Sequence, residues 1–81
     1  MPYIEPKIRV MLGAGVYPRD VGELTYVIQQ TINNYLSEHR LRYQALAEVL
    51  GALEGAKADF INRVLLPYET KKRKENGDVW T

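Results

Sequence analysis

The sequence predicts an all-α protein built on an antiparallel helical hairpin. Three observations predict it. A capping-box pattern at Asp20 opens one apolar stripe of helical period. A second such stripe starts at Tyr43. Only a short polar stretch separates them, and short links join antiparallel neighbours.

Residues 1–19 read as an N-terminal element and a loop. Ile4, Ile8 and Met11 or Leu12 follow helical spacing, and Pro6 suits a first turn. Val10 beside Ile8 suits a strand equally well, so both readings stay open, with a short helix preferred. Gly13-Ala14-Gly15 ends the element, and a loop around Pro18 follows.

In Asp20-Val21-Gly22-Glu23 the Asp20 carboxylate is expected to accept from the Glu23 amide. Glu23 is expected to reach back to the Asp20 amide. Val21, Leu24, Ile28, Thr31, Ile32 and Tyr35 then recur at three- and four-residue steps, with Gln29, Gln30, Asn33 and Asn34 opposite. That predicts a helix over about 21–37. Ser37 to Arg42 reads as the connection. Leu46, Val49, Leu50, Leu53, Ala56, Phe60, Val64 and Leu65 stripe a second helix over about 43–66. Pro67 removes a backbone donor and clashes one turn back, so a kinked helical extension is expected beyond it. Asn76-Gly77 stops that extension, leaving 76–81 as a tail. Trp80 is too apolar to be left in water and is expected to pack.

Composition narrows the class. The chain has 81 residues, 11 Lys+Arg against 10 Asp+Glu, one His and no Cys. One domain spanning 1–81 is the natural reading. Disulfide scaffolds, Cys-ligated zinc modules and multi-His metal sites within one chain are excluded. A net charge of +1 argues against a general nucleic-acid coat. The opening MPYIEPKIRV carries Glu5, Lys7 and Arg9 where a signal peptide needs an apolar run. Charges interrupt every longer apolar stretch, so no membrane span is expected. A cytoplasmic location follows as the expectation. A small helical hairpin buries little, and association with a second chain is the remaining remedy. A homo-oligomer, dimer or higher, is therefore expected.

Small residues on the second helix suggest where. Ala47, Gly51 and Gly55 lie four apart, and each helical glycine costs about 1 kcal/mol relative to alanine. Close approach of another helix would offset that. It is either a crossing inside the hairpin or an oligomer seam, and both stay open here.

Lys57 falls on the apolar stripe. Asp59 and Arg63 are an i,i+4 pair, as are Glu69 and Arg73. The plain reading is surface ion pairing. The sharper one is an anion pocket near Pro67, with Lys57 and Arg63 supplying charge, Tyr68 a stacking face and Lys71 a rim contact. Lys71-Lys72-Arg73-Lys74 is the strong charge run, and Glu69, Glu75 and Asp78 nearly cancel it. It complements the C-terminal end of a helix dipole, or serves a nucleic acid. Catalysis has little support. His39 stands alone, Ser37 is the single serine, and Gly13-Ala14-Gly15 lacks the features of a phosphate loop. No catalytic residue, metal ligand or cofactor is expected.

Several blocks resemble a family of short uncharacterised proteins from phages and environmental genomes. They are Gly22-Glu23-Leu24-Thr25-Tyr26-Val27-Ile28, Tyr35-Leu36, Gly51-Ala52-Leu53-Glu54-Gly55-Ala56-Lys57, Arg63-Val64, Pro67-Tyr68-Glu69 and Glu75-Asn76-Gly77-Asp78-Val79-Trp80. Arg42 stands where that family carries a serine, and Trp80 where it carries a tyrosine. The resemblance implies a phage setting, with the host cytoplasm as location, and no reaction. An Arg shortly before a Pro near the end of a long helix, as Arg63 and Pro67 are, is also similar to some phage sponges for cyclic-nucleotide immune signals. The expected function is a small non-enzymatic oligomeric binding protein. Its partner is an anionic or nucleotide ligand, or a host or phage protein. The runner-up is a nucleic-acid-associated protein using 71–74.

Overall fold

The computed structural model describes residues 4–40 and 42–80. The described residues are all-α, in the order α1 (Pro6–Gly13), α2 (Val21–His39), a short link, then a long C-terminal helix. That last helix runs as α3 (Tyr43–Phe60), a π-helical segment (Ile61–Leu65) and α4 (Leu66–Asn76). Contacts divide the chain into two compact units, Met1–Ala45 and Leu46–Thr81.

In the first unit Pro6 opens α1, where its missing amide is of no consequence. The helix reading of this element holds. Its end is a Schellman turn. Gly15 takes φ +96°, the Val16 amide donates to the Met11 carbonyl and the Gly15 amide to the Leu12 carbonyl, each at 3.1 Å.

At the start of α2 the Glu23 amide donates to Asp20 Oδ1 at 2.8 Å, as expected. The return bond differs from the expectation. Glu23 Oε1 accepts from the Arg19 amide at 3.0 Å, not from Asp20. The Arg19 guanidinium lies 3.2 Å from Glu23 Oε2. Hydrogen bonding and the charge of Glu23 hold the Arg19 guanidinium above its usual pKa. Glu23 is thereby buried with its oxygens occupied.

α2 outruns the expected end at 37 because its last residues bond back to their own helix. Ser37 Oγ donates to the Asn33 carbonyl at 2.9 Å, and His39 Nδ1 lies 2.9 Å from the Tyr35 carbonyl. The His39 ring also stacks on Tyr35, centroids 4.0 Å apart. Ser37 is therefore helical rather than part of the link. Arg40 ends the helix at φ 61° and ψ 156°, a region suited to glycine.

α1 packs on α2. Leu12 and Gly13 line a cleft with Tyr26, Val27, Gln30 and Thr31, so the packed face overlaps the expected stripe at Thr31 and extends to one side of it. Val21, Leu24 and Ile28 stay exposed. The core is thin. Ile4, Leu12 and Ala45 are its buried apolar members among the described residues.

In the second unit the helix passes through Pro67 without breaking. Pro67 cannot donate to the Arg63 carbonyl. Just before it, the Leu66 amide reaches the Ile61 carbonyl, five residues back. The expected kink is thus taken up as a π turn, a known adjustment near helix-interior prolines. One extra residue per turn rotates everything beyond it by about 100° relative to an unbroken helix.

Candidate functional site

The second unit holds the residues singled out by charge and aromaticity. It has no buried side chain among the described residues 46–80. Leu46, Leu50, Leu53 and Phe60 recur along one line of α3, all exposed, with Leu50 at 66%. Val64, Leu65 and Leu66 follow through the π turn, and they too are exposed.

The small-residue line lies elsewhere. Gly51 follows Leu50 by one residue and so sits about 100° round the helix from it. A Cβ built on Gly51 or Gly55 meets no atom within 4 Å. Within the second unit, nothing approaches these glycines.

The basic run is sorted into two sets. Lys72 Nζ lies 3.4 Å from Glu75 Oε2 and 5.6 Å from the Tyr68 ring centroid. Arg73 Nε lies 3.6 Å from Asp78 Oδ2, and its Nη2 donates to Thr70 Oγ1 at 3.3 Å. Arg73 thus takes Asp78 rather than the expected Glu69, because Gly77 turns the chain back. At φ +85° its amide donates to the Arg73 carbonyl at 2.8 Å. Lys71 and Lys74 make no ion pair with the described residues. They line an open groove with Asn62, Leu66, Pro67 and Thr70.

Of the four expected ligand residues, Lys71 stands in that groove and Tyr68 lines another, with Lys72, Arg73 and the tail. Arg63 faces Asp59 across 3.9 Å, the i,i+4 pair read from the sequence. Lys57 stands alone in the last turn of α3, without an ion pair among the described residues. Asn62 and Thr70 were missed, and Lys74 was singled out only within the basic run 71–74, although four-residue steps through position 66 place all three on one helical face. Trp80 does not pack as expected. It is 87% exposed, with its amide donating to Asp78 Oδ1 at 3.0 Å.

Among the described residues no three His, Asp or Glu gather as a metal-binding group, and no helix is long and apolar enough to cross a membrane. The model of a family described as a domain of unknown function (DUF6899) matches residues 1–79. The chain belongs to that family. The resemblance seen in the sequence blocks, to an uncharacterised family, is borne out in that respect. No curated protein and no solved structure matches the chain. For this DUF6899 member the reading of function rests on its exposed helix.

Proposed function

We propose that this protein is a non-enzymatic binding protein that works as a homo-oligomer, assembling through the apolar line of its C-terminal helix. One observation carries this reading. Residues 46–76 form a long helix with an apolar line and no buried side chain. Helices in water draw most of their stability from packing an apolar face. Covering each half-exposed leucine is worth about 1 kcal/mol. Exposed apolar lines of this extent mark association surfaces. This reading puts the seam on the leucine face, in place of the Ala47/Gly51/Gly55 face expected from the sequence.

A second reading joins the first. Lys71 and Lys74, which make no ion pair with the described residues, stand beside the hydrogen-bonding side chains of Asn62 and Thr70 and suit an anionic ligand such as a phosphate or nucleotide. A phage setting and cyclic-nucleotide capture belong to this reading through the resemblance of Arg63 and Pro67.

Light scattering behind size exclusion tests the assembly at tens of micromolar. A mass of two or more chains is expected, and a single-chain mass refutes the proposal. Thermal shift against phosphate, mononucleotides and cyclic dinucleotides tests the ligand. Stabilisation by any of these supports the anion groove, and none at millimolar concentration rejects it.

A further inference from the structure

We infer that the partner on this helix is a second copy lying antiparallel. The inference rests on the proposed self-association and adds its direction. The apolar line has two acidic or basic neighbourhoods of opposite sign. Residues 46–60 hold Glu48, Glu54 and Asp59 against Lys57, three acids to one base, net −2. Residues 61–80 hold Arg63, Lys71, Lys72, Arg73 and Lys74 against Glu69, Glu75 and Asp78, five bases to three acids, net +2.

A parallel pair sets each half beside its own sign. An antiparallel pair sets the acidic half of one copy along the basic half of the other, and does so twice by two-fold symmetry. The area fits a second copy. Leu46, Leu50, Leu53, Phe60 and Val64 share one line of the helix, are each partly exposed and together offer on the order of 500 Å² of apolar surface. A standard interface takes about 800 Å² per partner, and the flanking polar residues supply the difference. The midpoint of the helical stretch Tyr43–Asn76 falls beside Phe60, where the net charge also changes sign, so Phe60 lies close to the two-fold axis.

The chain has no cysteine, so a single introduced one carries a spin label cleanly. The full-length chain is labelled at Asn76→Cys in one sample and at Ala58→Cys in another, both exposed positions. Pulsed dipolar spectroscopy then reads the distance between copies. At a rise of about 1.5 Å per residue, antiparallel copies hold the residue-76 labels about 45 Å apart. The residue-58 labels then stay within about 20 Å, given helix spacings of about 10 Å. Parallel copies give the short distance at both positions, which overturns the direction and leaves self-association standing. No dipolar signal at either position, in samples whose circular dichroism matches the unlabelled chain, overturns both.

Discussion

The Leu66 amide donates to the Ile61 carbonyl, one position before Pro67. This five-residue step lets a proline sit inside a continuous helix, and it sets the faces on which Tyr68, Lys71 and Lys74 emerge. Alanine at 67 restores a donor for the Arg63 carbonyl. Pro67→Ala is expected to convert the π turn to α-helix and to stabilise the chain by about 1–3 kcal/mol. Amide exchange checks it. A protected amide at position 67 with a higher thermal midpoint is the expected outcome, and an unprotected amide contradicts it.

Glu23 joins the loop at Arg19 to the first turn of α2. Glu23→Ala removes the acceptor for the Arg19 amide and is expected to cost about 1–3 kcal/mol. Asp20→Ala removes the bond to the Glu23 amide and is expected to cost about 1 kcal/mol. Urea titrations measure both, and changes within about 0.3 kcal/mol for both speak against this account of the cap.

Arg40 holds a backbone conformation that side chains resist. Arg40→Gly is expected to raise stability by about 1 kcal/mol, as strain relief exceeds the added chain entropy of glycine. A lower thermal midpoint contradicts this.

The two sets of cations predict unequal effects. Lys71→Gln with Lys74→Gln is expected to weaken binding of a phosphate-bearing ligand at least about fivefold, since two unpaired charges are lost. Lys72→Gln with Arg73→Gln removes charges already set against Glu75 and Asp78 and is expected to change it less than about twofold. Equal losses in calorimetric titrations refute the division.

The helices were legible in the sequence because their signals are local. The Asp20 cap, the two apolar periods, Pro6 opening α1 and Asn76-Gly77 closing α4 each act within a few residues. The end of α2 was misjudged because Ser37 and His39 bond back to carbonyls four residues earlier, which period alone does not reveal. The π turn was hidden because a proline admits several local answers. The direction of Arg73 toward Asp78 depended on the Gly77 turn. Trp80 was expected to pack on apolarity alone, yet its ring is exposed beyond that turn.

The glycine face and the leucine face make opposite predictions. Gly51→Ala with Gly55→Ala meets open space and is expected to stabilise the helix by about 1–2 kcal/mol while leaving assembly intact. Sedimentation that shows single chains for this variant returns the seam to the glycines.

The central claim is that the exposed leucines bind another copy. Sedimentation equilibrium of the unmodified chain beside Leu50→Glu/Leu53→Glu tests it most directly, with circular dichroism recorded on both. The account predicts at least twice the chain mass for the first and the single-chain mass for a still helical variant. A single-chain mass for the unmodified protein up to about 100 μM, well above the Kd expected of an interface worth about 8 kcal/mol, contradicts it.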